Sequence, residues 1–148
     1  MNRRAVWINY SDLLNGIMPK SNWVCMATSS NSHPDEDTFD KFTRKTIENG
    51  LLEFKGHGNF GEKLHDWFDQ TIMVMHAMEN PGAIEVMTTW HNGESLADVF
   101  WQCFGATCLP DTADYDNIIV VITDLDNENR MSELKGYMTK FQNGWIPE

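Results

Sequence analysis

The segment Ile118-Ile-Val-Val-Ile122 is the strongest constraint on the fold of this chain. It is an unbroken run of β-branched residues with no polar alternate. A strand of that kind is covered on both faces, and such strands belong to parallel sheets flanked by helices. The pattern places a strand over 117–123. Ala5-Val-Trp-Ile-Asn-Tyr10 and Trp23-Val-Cys-Met-Ala27 read the same way, the first ending in the polar 9–12 region. Leu51-Leu-Glu-Phe54 and Ala83 to Trp90, with Ile84, Val86 and Thr88 on one face, complete the expected strands.

Helical periodicity fills the intervals. Phe39, Phe42, Thr46 and Ile47 recur at helical spacing, with acidic residues before them and Gly50 after. Leu64, Phe68, Ile72 and Met75 mark a second stripe, ended by Asn80-Pro-Gly82. Leu96, Val99, Phe100, Cys103 and Phe104 form a third, with Asn92 as its expected cap. A last helix falls on Met131, Leu134, Met138 and Phe141. Met73, Met75, Met78, Met131 and Met138 are expected in the core as gap-fillers. The alternation predicts one α/β domain over residues 1–148. Its architecture is a three-layer sandwich with a mostly parallel sheet of about four to five strands and helices on both faces. A chain of 148 residues can bury such a core without staples.

Charge narrows the partners. Asp and Glu number 22 against 11 Lys and Arg, a formal net charge of −11. That balance argues against nucleic acid and against an anionic membrane surface, and fits a basic protein partner. The three cysteines, Cys25, Cys103 and Cys108, form no paired motif and suit a reducing cytosol as small buried residues. Arg3 and Arg4 precede only Ala5 to Ile8, too short a run for a secretory segment, so a cytoplasmic, soluble protein is expected.

In parallel sheets, ligands gather at the carboxyl ends of the strands. The loops expected there carry His33 with Asp35 to Asp37, His57, His91 with Glu94, and Asp124, Asp126 and Glu128. Gly56-x-Gly58-x-x-Gly61 has the form of a dinucleotide fingerprint. Against that, Glu53 and Lys55 make the preceding strand read as half-exposed, Glu62 puts negative charge where a pyrophosphate would bind, and no carboxylate ends the next strand. A tight strand-to-helix turn is the simpler reading of the glycines. A helix starting directly after His91 would favour its neutral imidazole, a base or ligand beside Glu94. Asp124-Leu-Asp126-Asn-Glu128 resembles part of a divalent-ion loop but lacks its Gly and distal Glu, and a helix cap by Asp126 or Asn127 is the better explanation. No metal or cofactor motif is recognisable, and none is assigned.

Glu62-Lys-Leu-His-Asp-Trp-Phe-Asp69 and Thr88-Thr-Trp-His-Asn-Gly-Glu-Ser-Leu96, followed by Trp101 and Pro110, resemble a family of small bacterial proteins carrying a domain of unknown function. Its pattern is an (E)(R/K)xHDxFD helix start and a TTWHxxESL strand-to-helix junction, and the resemblance covers residues 50 to 123. The family's Trp and Cys around the turn at Lys55 to Gly61 are not present here. The resemblance implies no activity, but it points to His65, Asp66, Asp69, Trp90, His91 and Glu94. With the loop residues, the candidate binding or active-site face is His57, Glu62, His65, Asp66, Asp69, Trp90, His91, Glu94, Asp124 and Asp126. Three functions compete. One is a binding module, of inhibitor or immunity type, for a basic protein. Another is a small enzyme, or a nucleotide- or metal-dependent ligand-binding protein, working from the His and carboxylate residues. A homo-oligomer built on the aromatic surface is the third. Binding leads, because no nucleophile motif supports catalysis.

Overall fold

A computed structural model of the chain describes residues 3–105, 109–126 and 130–147. Its strands are β1 (Arg4–Trp7), β2 (Trp23–Thr28), β3 (Leu51–His57), β4 (Met87–His91) and β5 (Ile119–Asp124). They form one all-parallel sheet in the order β1-β5-β2-β3-β4. The helices are α1 (Tyr10–Leu14), α2 (Glu36–Glu48), α3 (Gly61–Met78), α4 (Leu96–Gly105) and α5 (Met131–Gln142).

The α/β sandwich with helices on both faces is the architecture found. Strand alternation divides the apolar residues between two cores. Cys25, Phe54 and Val121 point to the first face, where α1, α2 and α3 bring Leu13, Phe39 and Phe68. Val24, Met26, Val120 and Ile122 point to the second, under Phe100 of α4 and Leu134 of α5. Phe54 stacks on Phe68 with ring centroids 4.6 Å apart. Burial of each such ring stabilises the fold by about 1.5–3 kcal/mol. Asp35 caps α2 by accepting from the Thr38 N–H at 2.8 Å. Gly50, just beyond α2, takes φ +78°, a left-handed turn that suits glycine.

Several expectations need correction. The polar stretch after β1 is the short helix α1, held by Asp12 and Leu13 N–H donating to the Asn9 carbonyl and by burial of Leu13. Pro81–Glu85 is a 3-10 turn capped by Asn80 Oδ1, so the strand expected from Ala83 begins only at Met87, and Ile84 is exposed. β3 runs on to His57 and is buried along its whole length, Glu53 and Lys55 included, rather than half-exposed. β5 closes one residue later than expected, at Asp124. Met75 is buried, but Met73 and Met78 lie off the Leu64–Phe68–Ile72 stripe and face solvent. Cys25 and Cys103 are buried as expected; Cys108, Asn127 and Glu128 lie outside the described residues. No described helix is long and apolar enough to cross a membrane.

The connectivity fixes where sites can form. The chain leaves β2 and β3 toward the first face but leaves β4 and β5 toward the second. Because β1 also leads to the first face through α1, topological switch points fall at the carboxyl edge between β1 and β5, between β5 and β2, and between β3 and β4.

Candidate functional site

Four adjacent strands end in polar residues that are partners across the sheet. Asp124 pairs with Thr28, Thr28 with His57, and His57 with His91. Alternation puts all of them on the second face. His57 is 5% exposed; its Nδ1 meets Thr28 Oγ1 at 2.9 Å and its Nε2 meets the Glu94 carbonyl at 3.2 Å. Burial holds His57 below the ordinary histidine range, and the nearby Arg130 guanidinium acts in the same direction. The neutral ring then donates from Nε2 to the carbonyl and accepts at Nδ1 from Thr28. That hydroxyl in turn accepts from Arg130 Nη1 at 3.2 Å.

His91 is equally occupied. Its Nδ1 contacts Glu94 Oε2 and its Nε2 meets Thr89 Oγ1 at 3.0 Å, while Gln102 Nε2 donates to the same Glu94 oxygen at 3.3 Å. α4 does not start directly after His91. It begins at Leu96, with Ser95 Oγ accepting from the Asp98 N–H. Asn92, expected as its cap, instead accepts from the Glu62 N–H at the start of α3, 3.1 Å away. The place where a pyrophosphate would meet that helix is thus taken by a side chain of the same chain.

The β5–β2 crevice is also filled from within. Asp124 accepts from the Asp126 and Arg130 N–H groups at 2.8 and 2.9 Å. Asp126, fully buried, does not cap α5. Its carboxylate accepts from the consecutive N–H groups of Ser30, Asn31 and Ser32 at 2.8–3.0 Å. Consecutive amides of this kind form a nest for an anion, and here the anion is Asp126. Among the described residues, no group of three or more His, Cys, Asp or Glu is placed to hold a metal ion. The glycines serve the turn. A Cβ on Gly56 would lie 2.6 Å from the Gly61 carbonyl oxygen, and Gly58 takes φ +96°.

His57 gives this row a pH signature. Its neutral form is the one the fold accommodates, so it contributes stability above the ordinary histidine value of 6.5, lost as pH falls through its lower value in the fold. Urea midpoints measured at pH 7.5 and 5.5 should fall toward acid, and His57→Gln should remove part of that fall. An unchanged fall in the variant would contradict a buried neutral ring.

The other expected residues lie across the sheet. His65 of α3, which pairs with Asp66 and Asp69, meets Trp90 on the first face, with the His65 and Trp90 rings 4.5 Å apart. His65 Nδ1 is 3.0 Å from Asp66 and its Nε2 is 3.3 Å from Asp69. Thr88 Oγ1 donates to Asp69 at 2.6 Å. Glu62, at the head of α3, connects to this side through Asn92. The ten candidates thus form two groups rather than one face. His33 joins neither: its ring packs edge-on against Phe60 and Trp67.

Around the Trp90 group the surface is unusual. Met73 is 56% exposed, Met78 80% and Trp90 48%; Ile84, Val74 on the α2 side of α3, and Met87 on the second face of β4 are exposed as well. They sit on α3, the 3-10 turn and β4, which pack against one another. Glu62, Asp66 and Glu85 are exposed on the same elements, as is Lys63. β4 is a terminal strand of the sheet. Sequence reasoning missed this surface because it assigned the methionines to the core. It missed Thr28 and Arg130 because each acquires its role only when β2 and β5 pair. Glu53, Lys55 and His57 did carry a signal: polar residues at every second position of a strand share one face.

Residues 8–140 match a family model described as a domain of unknown function (DUF7684). No curated protein and no solved structure matches the chain.

Proposed function

Because the chain belongs to the DUF7684 family, whose function is unknown, its role is read from its own surface, and we propose that it is a binding module for a basic protein. The observation that carries this reading is the exposure of Met73, Met78 and Trp90 on elements that also carry the exposed carboxylates Glu62, Asp66 and Glu85. An apolar centre bounded by polar groups is the anatomy of a protein interface, and methionine and tryptophan are enriched there. The sign of those carboxylates selects the partner. Carboxylates steer a cationic surface into contact and repel acidic ones, a second copy of this chain included. The terminal strand β4 offers an edge to which a partner segment can add.

The competing reading is an enzyme or small-ligand protein built on His57, His91 and Asp124. It has less support, since those side chains bond to groups within the chain and the Ser30–Ser32 amides hold Asp126. The test is affinity capture from an extract of the source cells at low and at high salt. Bait is the wild type or a Met73→Asp/Trp90→Ala variant whose thermal unfolding is unchanged. Wild type should retain a basic protein at low salt and release it at high salt, and the variant should not retain it. Capture of no basic protein, or equal capture by both baits, would reject the reading.

A further inference from the structure

Beside the exposed face of α3, a cavity of about 210 Å3 lies between α2 and α3. Glu36, Asp37 and Asp40 of α2 line one wall, and Trp67, Thr71 and Val74 of α3 help line the other. Asp40 is committed. It accepts from Thr71 Oγ1 at 2.6 Å and from Arg44 Nε at 2.9 Å, which fixes the spacing of the walls. The Arg44 charge is met by Asp40 and by Glu79, 2.7 Å away. Glu36 and Asp37 are exposed and make no side-chain hydrogen bond or ion pair among the described residues. Opposite them, Trp67 already takes a cation, with Lys63 Nζ 5.5 Å from its ring centroid. Val74, in the lining, is 43% exposed.

We propose that this cavity receives an arginine side chain of the basic partner. The inference rests on the binding reading above for the source of that side chain, not for the chemistry of the cavity. A guanidinium is planar and forked. It can lie against the indole while its N–H groups reach the Glu36 and Asp37 carboxylates, and its aliphatic stem can run over Val74. A lysine ammonium presents a point charge with neither the stacking plane nor the fork.

The test needs no partner protein. The indole N–H resonance of Trp67, assigned with a Trp67→Phe variant, is followed in nuclear magnetic resonance titrations of the full chain. The probes are N-acetyl-arginine amide, N-acetyl-lysine amide and the neutral isostere N-acetyl-citrulline amide, at low ionic strength. The arginine probe should shift the Trp67 resonance saturably, and the other two should bind at least about fivefold more weakly. Glu36→Gln/Asp37→Asn should weaken the arginine probe by a similar factor while lowering the thermal midpoint by only a few degrees, the loss of two charges at the start of α2. No saturable shift, or an equal response to citrulline or lysine, would overturn the assignment. A silent probe with Trp90-dependent partner capture would sink the cavity alone. A responsive probe without any captured partner would sink the partner reading alone.

Discussion

Replacing Lys55 with Met is expected to destabilise the fold by about 3–5 kcal/mol near neutral pH, the cost of leaving a buried charge without its partner. Lys55 and Glu53 are 2% and 3% exposed, with Nζ and Oε2 3.0 Å apart. The Arg3 guanidinium and the His91 ring also act on Glu53 through space, but Lys55 is its direct ion-pair partner. Glu53 Oε1 has no hydrogen-bond partner among the described residues, and Thr89 Oγ1 stands 3.5 Å from Oε2. Burial pushes the Glu53 carboxyl up from its ordinary value, and Lys55 is the largest influence pulling it back. Without Lys55 the carboxyl rises further. The variant can then relieve its strain by protonating Glu53 in acid, and the penalty should shrink as pH falls from 7.5 toward 5. A Glu53→Leu/Lys55→Met double variant should recover most of the loss, because a packed apolar pair replaces the buried ion pair without an orphan. Urea unfolding of the three proteins at both pH values measures this. A Lys55→Met cost below about 1 kcal/mol would mean the pair is not isolated from water.

Asp126→Ala should cost about 2–4 kcal/mol through a different device. The lost carboxylate accepts from three successive backbone N–H groups, and charge-assisted bonds of that kind contribute about 1.5–3 kcal/mol each when dry. Ser30 and Ser32 are half-buried and Asn31 is exposed, so water can replace part of what is removed, and the total stays well below the sum. Asp126→Asn, with one remaining carbonyl acceptor, should fall between alanine and wild type. The melting point should drop by about 2–4 °C for each kcal/mol lost. Amide hydrogen exchange should accelerate at Ser30, Asn31 and Ser32 while the β3–β4 loops stay protected. Unchanged exchange at those amides would contradict the role of Asp126 in tying the two loops together.

Both effects lie where the sequence was least legible. The β-branched run at 118–122 and the stripes of α2, α3 and α4 declared themselves because each repeats with the period of its own element. The spacing of Glu53 and Lys55 showed their shared face but not their burial, which follows from the helices packed on the second face, a contact of long range. The candidate site was split for a local reason. Trp90 and His91 are neighbours in the chain, but successive residues of a strand point to opposite faces, so Trp90 joins His65 and His91 joins Glu94. Alternation along Thr88-Thr-Trp-His91 already contained that division. The methionines of α3 followed the same logic: the Leu64, Phe68, Ile72 and Met75 stripe fills the buried face, and Met73 and Met78 fall outside it.

On the binding reading, the exposed apolar residues of α3 and β4, rather than the polar row at the carboxyl edge, meet the partner. The most direct measurement is calorimetric titration of the captured basic partner into wild type, Trp90→Ala and His57→Gln, each at low and at high salt. Trp90→Ala should bind about tenfold or more weakly, as removal of a central aromatic anchor does. His57→Gln should bind as wild type, and high salt should weaken every complex. Loss of binding with His57→Gln and its retention with Trp90→Ala would contradict the account.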